Sequence, residues 1–220
     1  MVRRLLSLAG FAVTLAIWWW VKARPLSREL SLAVVIGGPL AFLPVVWAGR
    51  AMVDARPTPE RCAWTATLVH FVGILVLGSG IIEGIKVAYA APGWRIPIPA
   101  EVGQALTLIT GLGAVLTVVN LAVRGLGAPF AVALSRRLAT DWMYAWTRNP
   151  MVLGTFACLL SVGVWLRSAW FLGWVLCLLT PVWLAFLKVY EERELEVRFG
   201  PPYLAYRSKT PFLWPRRPKP

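Results

Sequence analysis

Six apolar runs fill most of this 220-residue chain, at 5–21, 30–49, 62–82, 102–123, 150–166 and 168–187. Crossing the hydrocarbon of a bilayer takes about 20 such residues, so each run spans a membrane or nearly does. Inside the bilayer no water pairs with backbone N–H and C=O groups, which leaves only helices and closed barrels. The runs lack the alternation of a barrel strand, so helices are expected. With 58% hydrophobic and only 15% charged residues, the chain lacks the polar surface that a soluble domain needs. The expected fold is all-α: a polytopic transmembrane bundle of about six membrane helices, with an interfacial loop and a C-terminal tail.

Arg3 and Arg4 before the first run imitate a secretory signal, but Trp18-Trp19-Trp20 stands where small cleavage-site residues belong. A retained helix is expected instead. The net charge of +13 would suggest nucleic acid in a soluble protein. Here its distribution decides. Placing the tail in the cytoplasm puts 17 of the 23 Lys and Arg on that side, which is the positive-inside pattern with both termini cytoplasmic. The basic excess then serves contact with anionic lipid and no nucleic acid. The lack of an organelle address favours a bacterial inner membrane, with the endoplasmic reticulum an alternative. Cys62, Cys158 and Cys177 lie within apolar runs and have no metal-like or paired spacing.

Polar interruptions fall at 50–61, 90–101 and 124–149, and after 190. The third keeps about 25 residues at the membrane rim, a length usually functional or disordered. Gly125, Gly127 and Pro129 prevent the fourth helix from continuing, and 134–146 alternates basic and apolar residues as a surface-lying segment would. Asn149 is a suitable N-cap and Pro150 suits the first helical position, so the next helix should begin there and turn its free N–H groups to the rim. Helix N-termini favour anions, and Arg148 adjoins this one. The short turn at Arg167-Ser168 makes the last two helices antiparallel neighbours. Pro181 is expected to kink the second of them. That helix returns Glu191 and Glu192 to the level of Arg148 and Asn149, so a basic helix mouth and a carboxylate pair are expected to share one site.

Several blocks carry a family resemblance: Gly125-Leu126-Gly127-Ala128-Pro129; Leu138-Ala139-Thr140-Asp141-Trp142-Met143-Tyr144; Arg148-Asn149-Pro150-Met151-Val152-Leu153-Gly154; Glu191-Glu192-Arg193-Glu194-Leu195; and Phe199-Gly200-Pro201-Pro202-Tyr203-Leu204-Ala205-Tyr206. In order and spacing they resemble the isoprenylcysteine carboxyl methyltransferase and phospholipid methyltransferase superfamily of integral membrane enzymes. The resemblance spans about 90 residues and gives a division into 1–100, membrane helices without a recognised motif, and 101–220, a methyltransferase-like core with a cofactor-binding tail. It implies S-adenosylmethionine as cofactor and a lipophilic acceptor entering from the bilayer, for which a prenylcysteine-like carboxylate is expected. Carried over by position, the cofactor-binding set is Gly125, Gly127, Tyr144, Arg148, Asn149, Pro150, Met151, Leu153, Gly154, Glu191, Glu192, Tyr203 and Tyr206. Arg148 and Glu192 take the catalytic roles, the two tyrosines pack the lid, and no metal is implied.

Three positions depart from the pattern: Asn149 replaces a histidine, Val152 a tyrosine and Trp142 a glycine. Asn149 can hydrogen-bond but cannot titrate. Two other classes therefore stay open: an NADPH-dependent sterol or enone reductase, which shares a similar ending, and a diverged non-catalytic membrane protein. Outside the motifs, His70 reads as an interhelical hydrogen-bonder, and the tryptophans suit interfacial belts.

Overall fold

The computed structural model describes residues 2–90, 95–124 and 137–218. Its helices there are α1 (Val2–Ala23), α2 (Arg28–Ala55), α3 (Pro59–Ala90), α4 (Ala100–Arg124), α5 (Met143–Trp146), α6 (Pro150–Trp165), α7 (Ala169–Phe199) and α8 (Pro201–Lys209). Five of them, α1, α2, α3, α4 and α7, are long and apolar enough to cross a membrane, and α6 is a shorter apolar helix of 16 residues. The protein is a multi-pass integral membrane bundle. At about 1.5 Å per residue α6 falls short of a hydrocarbon core about 30 Å thick.

Two helices outrun their apolar stretches because their charges are satisfied. In α3 the carboxylate of Glu83 accepts from Ser31 Oγ at 2.9 Å and pairs with Lys86 at 2.7 Å. Lys86 also donates to the carbonyls of Val21 and Arg24, each at 2.7 Å, which ties the end of α1 to α3. Nothing there stops the helix, and it runs to Ala90. In α7 the apolar run ends at Leu187, yet the helix continues to Phe199. The Glu191-Glu192 pair therefore lies within a helix and not beyond its end.

Helix α7 is the central element. Phe171, Val175, Leu179, Leu187 and Tyr190 are fully buried along it. Its wide π-type turns at Val175–Leu179 and Phe186–Glu191 flank Pro181, so the disturbance expected at that proline takes the form of extra residues per turn. Trp174 Nε1 donates to the carbonyl of Val35 at 2.9 Å, a group that Pro39, lacking an N–H, cannot serve. Tyr190 donates its hydroxyl hydrogen to Thr65 Oγ1 at 3.1 Å, and Arg50 Nη1 donates to the carbonyl of Val189 at 3.0 Å. Both α2 and α3 are thereby fixed to α7.

On the other side α4 packs along α6 at backbone range. A Cβ on Gly154 would stand 3.1 Å from Ala114 Cα, and one on Gly103 would overlap the backbone nitrogen of Trp165. Close backbone approach of this kind drives association where lipid removes the usual hydrophobic incentive. The α6–α7 turn places Arg167 at φ 56°, and Ser168 Oγ caps α7 by accepting from the Phe171 N–H at 3.2 Å. Replacing Gly103 by leucine should force α4 from α6 and cost about 1–3 kcal/mol, read as a lower melting temperature in detergent, while leucine at the uncrowded Gly113 should leave it unchanged.

Candidate functional site

The segment from Tyr144 to Asn149 has little regular structure of its own, and the C-terminal tail supplies what it lacks. Arg148 N–H donates to the carbonyl of Pro211 at 2.9 Å, Thr147 Oγ1 and Asn149 Nδ2 donate to the carbonyl of Phe212 at 3.3 and 2.8 Å, and the Arg216 N–H donates to the carbonyl of Trp146 at 3.0 Å. From α8 the Tyr206 hydroxyl donates to the carbonyl of Tyr144 at 2.7 Å. This strap corrects the expected cap. Asn149 occupies the N-cap position of α6 but makes no side-chain cap bond, because its amide is committed to the tail. Two cations also flank the tail's aromatic ring: Lys188 Nζ lies 3.8 Å and the Arg148 guanidinium 5.6 Å from the Phe212 ring centre.

Behind the strap the α6 mouth meets α7. Arg148 Nη1 stands 2.8 Å from Glu192 Oε1, with side chains 10% and 16% exposed, and Lys188 Nζ approaches the same oxygen at 3.5 Å. The Arg148–Glu192 contact is an approach of charges without hydrogen-bond alignment: Arg148 Nε and Nη1 and Glu192 Oε1 are buried and have no hydrogen-bond partner among the described residues. Buried polar atoms are nearly always satisfied, so these three, joined only by the ion pair, carry spare hydrogen-bonding capacity that a polar ligand could take up. Two residues on, Glu194 is buried and paired with Arg198 at 2.7 Å.

These groups line a cavity of about 370 Å³, within the range of small-molecule pockets, about 300–1,000 Å³. Its polar end carries Arg148, Asn149, Glu191, Glu192, Tyr144, Tyr203 and Tyr206. Burial raises the phenols of Tyr144 and Tyr206, and it lifts Tyr203 to about 12 with Glu192 adding to the effect, so all three stay neutral at physiological pH. The other arm is apolar, lined by Trp18, Phe42, Leu77, Gly78 and Ile81 from the N-terminal helices.

Of the residues expected from sequence, Tyr144, Arg148, Asn149, Met151, Glu191, Glu192, Tyr203 and Tyr206 come together around this cavity. Pro150, Leu153 and Gly154 lie outside its lining; Gly154 faces Ala114 of α4. Gly125 and Gly127 lie outside the described residues, as does 134–136 of the expected surface segment, whose remainder forms one helical turn at Met143–Trp146. Sequence reasoning missed the strap residues Thr147 and Phe212 and the whole apolar arm. A proline-flanked aromatic stretch, Pro211-Phe212-Leu213-Trp214-Pro215, was the available signal for the strap.

Residues 101–201 match the family model of phospholipid methyltransferases, a little under half of the chain, covering α4 to the start of α8. No curated protein and no solved structure matches.

Trp142 stands at φ 53°, ψ −123°, close to Gly200 at φ 58°, ψ −135°. That region is essentially glycine's own and costs other residues about 1–3 kcal/mol. Gly200 has no atom within 4 Å of an added Cβ, so Gly200→Ala should lower stability by about that amount through the backbone alone. Trp142→Gly should raise stability by about 1 kcal/mol once glycine's own entropic cost is subtracted. Thermal unfolding of the two variants in detergent checks both signs.

Proposed function

We propose that this chain, whose residues 101–201 carry the phospholipid methyltransferase family's sequence within a wider superfamily of membrane methyltransferases, transfers a methyl group from S-adenosylmethionine to a lipophilic acceptor. The observation that carries this reading is the orphaned pair in the cavity: buried donors on Arg148 beside a buried acceptor on Glu192. An amino acid zwitterion presents the complementary set. Its carboxylate suits Arg148 and the N–H groups at the start of α6, and its ammonium suits Glu192 and Glu191. When bound, S-adenosylmethionine supplies a methyl group on a positively charged sulfur, a poor companion for water and a good one for a closed pocket.

What the chain contributes is position and dryness. Arg148 and Glu192, each held by a different helix and covered by the tail, fix one end of the cofactor, and the strap keeps solvent from the polar end. Holding two reactants in line is worth about 7–11 kcal/mol of barrier in well-oriented cases. Neutral Tyr144, Tyr203 and Tyr206 offer donors and acceptors at fixed positions. The apolar arm suits a hydrocarbon tail, and for the acceptor's head the prenylcysteine-like carboxylate of the sequence resemblance and a phospholipid headgroup are the two assay classes. The strapped end is assigned to the cytoplasm by the distribution of Lys and Arg, in a bacterial inner membrane.

Purified protein in detergent should bind S-adenosylmethionine by calorimetry. Glu192→Gln and Arg148→Ala should each weaken binding about tenfold, the effect of losing a hydrogen bond to a charged group. NADPH should give no thermal stabilisation. Absence of binding at millimolar cofactor, or stabilisation by NADPH instead, would overturn the assignment.

A further inference from the structure

One face of α3 runs the length of the cavity's apolar arm. His70, Gly73, Ile74, Leu77, Gly78 and Ile81 all line it, at the spacing of a single helical stripe. Five of these six are apolar or glycine. His70 is the exception, at the end of the stripe nearest the carboxylates of α7, with its ring edge-on to Phe186 at 5.3 Å between centres.

Its hydrogen bonding fixes its chemistry. His70 Nδ1 lies 2.7 Å from the carbonyl of Ala66 on its own helix. A carbonyl only accepts, so Nδ1 carries the hydrogen and Nε2 of the neutral ring bears a lone pair. The interhelical bond expected from sequence is thus replaced by an intrahelical one. Among the described residues Nε2 has no hydrogen-bond partner. Of the carboxylates nearby, Glu192 faces Arg148 at 2.8 Å and Glu194 faces Arg198 at 2.7 Å, which ties both up; Glu191 has no ion pair among the described residues and is the competing acceptor. Asn149 cannot titrate. The charged groups facing the ring's end of the cavity are Arg198, Glu194 and Glu191 from α7, with Arg137 and Arg148 across the cavity.

We infer that His70 is the proton acceptor of this site, so that the molecule to be methylated arrives with an N–H or O–H on its reacting atom. This rests on the methyl-transfer reading and narrows it, because an ionised carboxylate needs no base. The acceptor's lone pair forms the bond to the methyl carbon as the carbon–sulfur pair stays with the sulfur, and the acceptor's proton passes to Nε2. The resulting imidazolium releases it to water at the polar end. General bases of this kind contribute about 10²–10⁴ in rate.

The chain has one histidine, so isotope-labelled histidine reports this ring alone by NMR. In full-length protein in lipid nanodiscs, the free state should show the Nδ1–H tautomer, and dodecylamine should move the Nε2 resonance while dodecanoate leaves it in place. His70→Gln should cut methyl transfer to dodecylamine about 10²–10⁴-fold with S-adenosylmethionine affinity unchanged by calorimetry. An Nε2 signal unmoved at saturating dodecylamine, equal turnover by His70→Gln, or wild-type transfer confined to dodecanoate would overturn the inference. Failure of the wild type to bind S-adenosylmethionine sinks the underlying reading instead, and the NMR titration still decides whether Nε2 meets the acceptor.

Discussion

The Arg148–Glu192 approach, 2.8 Å across a dry junction of two helices, is the constraint around which this bundle is organised. A guanidinium and a carboxylate taken out of water cost several kcal/mol each, and their attraction repays that only when further hydrogen bonds complete the geometry. Here the completion is missing on both sides. The surroundings are therefore built to tolerate an incomplete pair: Lys188 shares the carboxylate, Phe212 covers both cations, and neutral tyrosines close the rim. This pair therefore keeps hydrogen-bonding capacity that a bound polar group could use, which is the basis of the proposed function.

Holding it requires anchors on both elements. The α7 side is secured far from the site by Trp174 on Val35, Tyr190 on Thr65 and Arg50 on Val189, each joining the central helix to α2 or α3. The α6 side is secured by near backbone contact with α4 through Gly103 and Gly154. The strap then locks the loop before α6 through carbonyls of Pro211 and Phe212. With Arg148 and Glu192 mostly buried at this junction, the charged site lies in low dielectric, where each electrostatic contact counts for more.

Much of this was legible in the sequence. Apolar run length gave the helices, and the two-residue turn at Arg167-Ser168 required α6 and α7 to be antiparallel, which returned Glu192 to Arg148. What stayed hidden depended on tertiary partners. The i,i+3 spacing of Glu83 and Lys86 and the i,i+4 spacing of Glu194 and Arg198 are local signals, but nothing local announces that Ser31 and the carbonyls of Val21 and Arg24 complete the first pair, or that Arg148 faces Glu192. Asn149 was read as a cap because cap propensity is local, and it is taken by the tail because a carbonyl 63 residues away is within reach. Gly154 looked like a cofactor turn, yet it faces the backbone of α4.

The cavity's polar end is furnished by α6, α7 and the tail, most of it within the matched segment 101–201, whereas its apolar lining is shared: Trp18, Phe42 and the α3 stripe lie outside that segment, and Val118, Leu121, Trp183 and Phe186 lie within it. The charged groups of the polar end sit on or beside the most cross-braced elements, α7 and the strapped start of α6. Along the apolar arm glycines and aromatics set the shape: Gly73 yields to Phe42 and Gly78 to Trp18. Change in the N-terminal helices can therefore alter what the arm admits without disturbing Arg148 and Glu192. His70 stands where the arms join, on α3 outside the matched segment and edge-on to Phe186 of α7 inside it, so the ring meets both the apolar stripe and the polar end.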